Sequence, residues 1–324
     1  MKNVLTSILQ GVSPKLVSEL WLDFEDTQQY SKDPFDVISG LEPFEKLEKL
    51  SLAGHSIKEL RQLPFMESLI YLDVSHNDIT HLSGIEGLSN LTYLDLSYNE
   101  LTEIRPLEKA IFLKHLNLGH NHLTQLEGLE SLVDLQWLNL SGQHHRQIRK
   151  LDALDPFQAL TTLFVAYLKL ESLEFLKNKA ELRVLSCSPL PQTDLSPLAG
   201  LKNLEELTIG ARYLAEDLHL PPLTKLEILR IQQGRLTHGA HLKGLEFAKQ
   251  LKSLHLISLD LESLPDLSQC VELETVIIKS NQITELGPLM DLPKLRHLDL
   301  RQNPVNPEAI EDLYKEKPGL EVIY

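Results

Sequence analysis

The chain has 324 residues, of which 42% are hydrophobic and 24% are charged, and its formal net charge is −15 at pH 7. This composition excludes an intrinsically disordered chain, which would contain fewer apolar residues. Because the excess charge is negative, we expect no binding to nucleic acid or to anionic membranes. The acidity favours a basic partner, although a solvated acidic surface also explains it.

The N-terminal residues, MKNVLTSILQGVSPKLV, lack the long apolar segment and the small-residue cleavage site of a secretory signal. No apolar run reaches the roughly 18 residues that a membrane-spanning helix needs. The two cysteines, Cys187 and Cys270, are far apart in the sequence and do not resemble a disulfide framework. We therefore expect a cytoplasmic protein with both thiols in its core.

The pattern L-x-x-L-x-L recurs along most of the chain in steps of 22 residues, with two steps of 25. A weaker copy within residues 17–22 comes first, so we expect residues 1–46 to form an N-terminal cap with a degenerate first repeat. Residues 47–303 then form twelve repeats in one continuous domain. The twelve copies start at Leu47, Leu69, Leu91, Leu113, Leu135, Leu160, Leu182, Leu204, Leu226, Leu251, Leu273 and Leu295.

Each repeat begins with a short predicted strand whose side chains alternate between two faces. In the second copy, Leu72 and Val74 point inward, and later apolar residues return along the other side to fill the same core. One repeat cannot bury its apolar face alone, so neighbouring repeats must stack. A repeat of 22 residues favours 3₁₀ turns on the return side, where one position carries Pro106, Pro197 and Pro288.

The ninth position of the repeat carries an asparagine in several copies. We expect its buried amide to bridge the backbone of adjacent turns, which is a structural role. The asparagines are Asn77, Asn99, Asn121, Asn281 and Asn303. The middle repeats have other residues at this position, so we expect less regular turns there: Leu168, Leu190, Arg212, Gly234 and Leu259.

The chain ends with a predicted C-terminal cap over residues 304–324. It comprises a helix over residues 307–316 and a final strand over residues 320–324. The repeats resemble the leucine-rich repeat family over about residues 17–324. Their length and this cap are similar to those of internalins and of the phosphatase-1 regulatory leucine-rich proteins.

The resemblance implies an α/β fold, a leucine-rich repeat solenoid in the form of a horseshoe or arc. We expect a parallel concave sheet of about 12–14 strands, a convex side of 3₁₀ turns and loops, and short helical caps at both ends. Two departures from the internalins are the middle repeats, which lack the asparagine, and the expected absence of a secretion signal and a wall anchor.

The strand residues between the inward leucines are predicted to face the concave surface. They occupy positions three, five and seven of the repeat, with position eight at the rim. Aromatic residues with polar groups are common anchors of interfaces, and here they align in consecutive repeats. The alternative is cross-strand stacking that stabilises the sheet. The candidate protein-binding residues are Tyr71, Asp73, His76, Tyr93, Asp95, Tyr98, His115, His120, Trp137, Phe164 and Tyr167.

A second, weaker candidate patch in the C-terminal half is basic and consists of Arg230, Lys279, Arg296 and Arg301. It would suit an acidic patch or a phosphate group, and a solvated surface is the alternative. Three insertions, over residues 25–34, 143–150 and 235–241, are expected on one rim. Such insertions often lie near a binding face, although loops also tolerate extra length without a function.

Catalytic and metal-binding motifs are missing from the sequence. His115, His120 and His122 are close together, but strand alternation sends His115 and His122 in different directions, and no cysteine or carboxylate set completes a tetrahedral site. None of the common nucleotide-binding, hydrolase or metalloprotease motifs occurs. We therefore expect no enzyme activity, no cofactor and no metal.

These observations predict a protein–protein interaction module that binds a protein partner on its concave face, as a regulator, inhibitor or scaffold. A monomer is expected, with no nucleic acid or membrane as partner. One alternative is a bacterial effector or an internalin-like binder of a host protein. Another is a neutraliser, of the immunity type, of a basic toxin or nuclease.

Overall fold

The computed structural model describes residues 12–23, 40–144, 148–188, 194–211, 218–236 and 242–324. The chain forms two units, Met1–Leu160 and Thr161–Tyr324. Within the described residues, no helix is long and apolar enough to cross a membrane.

The described part of the first unit contains a parallel sheet in which each strand pairs with the next in chain order. The register places the same repeat position on neighbouring strands, so that Tyr71 pairs with Tyr93, and Tyr93 with His115. On the return side, 3₁₀ turns span Ile85–Gly87, Arg105–Lys109 and Asp152–Leu154. The strands are β1 (Glu19–Trp21), β2 (Lys49–Ser51), β3 (Tyr71–Asp73), β4 (Tyr93–Asp95), β5 (His115–Asn117) and β6 (Trp137–Asn139).

The second unit continues the same arrangement of parallel strands and adds two short helices, α1 (Gly287–Met290) and α2 (Pro307–Glu316). Its 3₁₀ turns span Glu174–Leu176, Ser196–Gly200 and Leu245–Phe247. Its strands are β7 (Thr162–Phe164), β8 (Val184–Cys187), β9 (Glu206–Gly210), β10 (Leu218–His219), β11 (Ile228–Gln232), β12 (Leu242–Lys243), β13 (Ser253–Ile257), β14 (Thr275–Ile277), β15 (His297–Asp299) and β16 (Glu321–Ile323). Strands β10 and β12 pair with each other in a separate two-stranded sheet.

The core consists of the leucine rows that the repeat predicts. Leu72, Val74 and Leu94 on the strands are completely buried, as are Ile79 and Leu101 on the return side. Fourteen described strands belong to the main parallel sheet, which agrees with the expected number. The predicted repeat architecture, with a parallel sheet and mostly 3₁₀ turns between strands, is therefore confirmed.

The asparagines at position nine bridge adjacent repeats as predicted. The Asn77 side-chain oxygen accepts hydrogen bonds from the backbone N–H groups of His55 and Ile57, both at 2.9 Å. Its Nδ2 donates to the carbonyl oxygens of Leu52 at 2.9 Å and Val74 at 3.0 Å. Removal of such an amide would leave buried backbone groups unpaired, and each unpaired group would lower the free energy of unfolding by about 1–3 kcal/mol.

A sixth amide, that of Gln143, continues this row and was missed in the sequence. Its side-chain oxygen accepts from the backbone N–H of Leu123 at 3.0 Å, and its Nε2 donates to the carbonyl oxygen of Leu118 at 2.8 Å. The signal was present, because Gln143 occupies position nine of its repeat and carries the same amide group on a longer side chain.

Three of the middle repeats, which lack the asparagine, have longer strands. Strands β9, β11 and β13 have five residues each, whereas β3 to β6 have three. In the repeats with asparagine, its Nδ2 binds the position-six carbonyl groups and ends the ladder. In β9 and β11, which lack that amide, the ladder continues to position seven, where Gln232 pairs with Gly210. Strand β7 also lacks the amide but has three residues, so the missing amide permits the longer strand without imposing it. The less regular turns expected here fall largely on residues 189–193, 212–217 and 237–241, outside the described residues.

The two ends of the chain carry different caps. At the N-terminal side a 3₁₀ turn spans Pro14–Leu16, and residues 1–11 and 24–39 of the predicted cap lie outside the described residues. At the C-terminal side, α2 begins after Asn306, whose side chain accepts a hydrogen bond from the backbone N–H of Glu308 at 3.1 Å. Strand β16 pairs with β15, close to the predicted final strand. The domain boundaries themselves remain a prediction.

Candidate functional site

Four rings at position three stack along the sheet of the first unit and form the aromatic ladder, which consists of Tyr71, Tyr93, His115 and Trp137. The ring centroids of consecutive members are 4.1, 4.2 and 3.9 Å apart, and the interplanar angles are 12–13°. Parallel strands in register place equal repeat positions about 4.8 Å apart, which is close to the thickness of stacked rings. The alignment predicted from the 22-residue period is therefore present.

This stacking decides which part of each ring a partner can contact. Tyr93 and His115 are covered on both faces by neighbouring rings, so only their edges point away from the sheet. Each stacked pair stabilises the sheet by about 0.5–1.5 kcal/mol beyond its buried area. Cross-strand stacking therefore stabilises the sheet, as the alternative interpretation holds. The rings are nevertheless only half-buried, and their edges are exposed on the sheet surface.

A polar column runs beside the ladder at position five and consists of Asp73, Asp95, Asn117 and Asn139. Asn139 donates a side-chain hydrogen bond to the Asn117 oxygen at 3.0 Å, and Asn117 donates to Asp95 Oδ2 at 2.9 Å. Asp95 Oδ1 also accepts from the backbone N–H of Ser97 at 2.9 Å and from its hydroxyl at 2.6 Å. The ladder and the polar column together form what we call the ladder face.

On the ladder face, uncharged rings lie beside negatively charged carboxyl groups. Burial lowers the pKa of His115 to about 4, against a smaller opposing effect of Asp95. Burial raises the pKa of Tyr93, and nearby Tyr71 and Asp95 add to this. The pKa of Asp73 is raised, first by burial and then by the charges of Asp95 and Asp23. At neutral pH the ladder therefore carries no charge of its own.

Three more rings stack at position eight and form the rim stack of His76, Tyr98 and His120. Consecutive centroids are 4.2 Å apart, with interplanar angles of 10° and 9°. All three residues have positive φ angles of 54–56°, which turn the chain at the end of each strand. Gly142 follows in this column, and a Cβ atom there would lie 2.7 Å from the His120 ring. The pKa of His120 is lowered by burial and by the neighbouring His144 and His76.

Two residues next to the predicted candidates were missed in the sequence. Trp21 on β1 is 46% exposed, and its ring centroid lies 5.4 Å from that of Tyr71 at an interplanar angle of 58°. Asp23 contributes to the negative field at Asp73. Applying the repeat positions to the degenerate first copy, residues 17–22, would have placed Trp21 at position five.

Phe164 and Tyr167 occupy positions five and eight of a repeat in the second unit. Phe164 ends β7 and is half-buried. Tyr167 has a positive φ of 63° and is 46% exposed. Both residues are therefore presented at the predicted repeat positions within their own unit, and their part in binding remains a prediction.

The second candidate patch is largely neutralised by neighbouring carboxylates. Arg230 lies 3.3 Å from Glu206, and the Arg301 guanidinium contacts both oxygens of Asp299 at 2.5–3.1 Å. The pKa of Asp299 is lowered mainly by this bond to Arg301, with Lys279 adding a smaller effect. Arg296 is exposed at the start of its repeat. The patch is less positive than its composition indicates, and its role remains a prediction.

The described part of the chain contains two buried thiols, Cys187 and Cys270. No group of three or more metal-ligating side chains occurs in that part of the chain. Burial raises the pKa of Cys187 to about 12 and that of Cys270 to about 11. Both thiols are therefore protonated at neutral pH and behave as small apolar groups. Of the three insertions, residues 25–34 and parts of the other two lie outside the described residues.

Comparison with family models identifies leucine-rich repeats in three parts of the chain. Two models described as leucine rich repeat match residues 45–101 and 109–133. A model described as leucine rich repeats in two copies matches residues 271–315. A comparison with curated protein sequences finds no significant match.

Solved structures share the fold. An internalin, InlF, of Listeria monocytogenes is 25% identical with a TM-score of 0.72, covering 87% of this chain and 81% of that chain. A leucine-rich repeat protein of Leptospira interrogans is 23% identical with a TM-score of 0.52, covering 99% and 98%. The mouse RP105/MD-1 complex is 23% identical with a TM-score of 0.66, covering 94% of this chain and 59% of that chain. The chain thus contains leucine-rich repeats in these three segments, and its repeat fold is similar to that of an internalin.

Proposed function

We propose that the protein binds a protein partner through the ladder face and acts as a regulator, inhibitor or scaffold. The observation that supports this proposal is the type of residue found at positions three and five of the repeat. The repeat fold uses leucines at the inward positions and, in several copies, an amide at position nine. It sets no requirement for Tyr71, Tyr93 and Trp137, which nevertheless align in neighbouring repeats. Exposed aromatic edges with polar groups are typical of interface anchors.

The comparisons support a binding role in general terms. The fold is one on which proteins commonly present a preformed surface, and such a surface needs little ordering on association. One structure with this fold is the mouse RP105/MD-1 complex.

A double substitution, Tyr93→Ala with Trp137→Ala, tests the proposal. Partners are captured from an extract of the native host by the immobilised wild-type chain and identified by mass spectrometry. We expect the double variant to lose these partners at temperatures where it is still folded, although its unfolding midpoint falls because three stacked pairs are lost. Phe112→Ala is the matched control, since Phe112 is 51% exposed outside the sheet strands of the same unit. Undiminished capture by the double variant would refute the proposed site.

We propose as well that the protein acts in the cytoplasm, as a monomer and without catalysis. Two free buried cysteines and no disulfide in the described residues support a reducing compartment. Cell fractionation of the tagged native protein and light scattering after gel filtration test the first two points.

A second candidate function is that of an internalin-like binder of a host protein. The 25% identity to an internalin over most of both chains favours it. The two candidate functions differ in the cell fraction in which the native protein would be found. Recovery from the culture medium or the cell surface would favour the internalin-like function over an intracellular regulator.

A further inference from the structure

Position five carries a side-chain oxygen in the four consecutive repeats of the ladder face, and the structure shows that this oxygen need not be charged. In four consecutive repeats it accepts a hydrogen bond from the backbone N–H two residues later, at 2.9–3.1 Å. This bond holds the chain where it turns out of the strand. Two repeats form it with the neutral amides of Asn117 and Asn139, and two form it with the carboxylates of Asp73 and Asp95.

The negative charge of Asp73 and Asp95 is therefore not required for the turn. It also has a cost, since the two side chains lie on neighbouring strands in register and like charges opposite each other destabilise a sheet. The raised pKa of Asp73 reflects this repulsion in addition to burial. Among the ion pairs of the described residues, none involves Asp73 or Asp95. Lys49, the basic residue on the neighbouring strand, instead pairs with Glu19 at 2.8 Å.

The first unit as a whole carries most of the negative charge. Residues 1–160 contain 23 Asp and Glu against 13 Lys and Arg, a net charge of −10 out of −15 for the chain. Such a field attracts cationic partners and raises their rate of association.

The ladder determines how a cation would be held. The faces of Tyr93 and His115 are occupied by other rings, so a cation cannot lie over them. It can bind the carboxylates of Asp73 and Asp95, while the aliphatic part of a lysine or arginine side chain lies along the ring edges.

We infer that the ladder face recognises a basic segment of its protein partner, with lysine or arginine side chains bound at Asp73 and Asp95. This inference rests on the proposed function and names the chemistry of the partner. The partner segment is polypeptide, because the apolar ring edges beside the carboxylates match the mixed apolar and cationic character of such side chains.

The test is a selection of random 12-residue peptides displayed on phage, carried out in parallel on the wild-type chain and two variants. The first variant is Asp73→Asn with Asp95→Asn. An asparagine retains the oxygen that accepts the turn bond, as Asn117 shows by accepting from both Gly119 and Asn139. The second is a control, Glu103→Gln with Asp134→Asn, which removes two exposed charges elsewhere on the same unit.

We expect the wild type and the control to enrich peptides rich in lysine and arginine, and the Asp73→Asn, Asp95→Asn variant to lose this enrichment. A synthetic copy of an enriched peptide should bind the variant at least about tenfold more weakly, which corresponds to about 1.4 kcal/mol. Its affinity for the wild type should fall as the salt concentration rises.

Other results separate this inference from the proposed function. The enriched peptides are also tested against the Tyr93→Ala, Trp137→Ala variant. Neutral or acidic peptides that lose binding to this variant would overturn the basic segment and leave the binding face in place. Peptides that bind the aspartate and the aromatic variants as well as the wild type would count against both the basic segment and the proposed function. A selection without any enrichment would do the same. Equal binding of basic peptides to the wild type and the aspartate variant would overturn the role of Asp73 and Asp95.

Discussion

His115 lies between Tyr93 and Trp137, with ring centroids 4.2 and 3.9 Å away. Burial lowers its pKa to about 4, whereas a histidine in an unfolded chain titrates near 6.5. Between these two values the unfolded chain binds a proton that the folded chain does not. Folding is therefore disfavoured as the pH falls from about 6.5 to about 4, and no further loss from this group follows below that.

Replacing His115 with tyrosine should remove this part of the pH dependence, because tyrosine can continue the stack and does not titrate in this range. The expected change in the free energy of unfolding between pH 6.5 and 4 is on the order of 1–3 kcal/mol smaller in His115→Tyr than in the wild type. Urea unfolding at several pH values measures it. His81→Tyr, at an exposed histidine of the same unit, should follow the wild-type curve. A parallel pH dependence in His115→Tyr would contradict the assignment.

The residues of the candidate site were largely predictable, but their geometry was not. The 22-residue period and the alternation of strand side chains determine that Tyr71, Tyr93, His115 and Trp137 share one column. The pattern contains no information on ring rotation, so it did not indicate that the faces are covered and the edges free. Trp21 was missed because the first repeat is degenerate.

On the return side, position sixteen carries a proline in three repeats and a glycine in two. Pro106, Pro197 and Pro288 lie in the first turn of the 3₁₀ turns Arg105–Lys109 and Ser196–Gly200 and of α1. Gly84 and Gly128 adopt φ angles of 105° and 102° instead. In both cases the backbone N–H donates to the side chain of a glutamate two residues later, at 2.8 Å. Two local solutions thus reverse the chain at one repeat position.

Gly84→Ala should destabilise the first unit, because a Cβ atom at this left-handed position would lie 2.6 Å from Arg61 Cα and 2.7 Å from Arg61 N. Both are backbone atoms and cannot rotate away. We expect a loss of at least about 2 kcal/mol in the free energy of unfolding.

Gly87→Ala is the matched control, since its nearest contact would be the Phe65 side chain at 3.6 Å. A change within about 0.5 kcal/mol is expected for this variant, typical of surface substitutions. Equal losses in the two glycine variants, measured by denaturant unfolding, would contradict the explanation for Gly84.

The strands of the middle repeats show why local sequence patterns do not predict every strand and strand pairing. The absence of asparagine at position nine predicted less regular turns. In the described residues, three of these repeats instead have longer strands, β9, β11 and β13. The sequence did not predict the pairing of β10 with β12. Two-residue strands are too short to carry a periodic pattern, and only tertiary contacts define them.

At the scale of the molecule, each repeat of a solenoid depends on the repeats next to it rather than on distant parts of the chain. The first unit carries a net charge of −10 and the candidate binding face. The second carries the lateral ion pairs Arg183–Glu205, Lys252–Glu227 and Lys294–Glu272, at 2.6–3.2 Å. Such exposed pairs add little stability, so the stability of both units depends mainly on their leucine rows.

This dependence on neighbours predicts where a core substitution acts. Leu94 on β4 is completely buried, and Leu94→Ala should cost about 2–5 kcal/mol. In an array stabilised by nearest neighbours, amide hydrogen exchange should accelerate most in the repeats beside β4 and least in the second unit. Leu298→Ala on β15, where Leu298 is 1% exposed, should show the reverse pattern. If either substitution accelerates exchange uniformly across both units, the chain unfolds as one cooperative body, and the nearest-neighbour account of its stability is wrong.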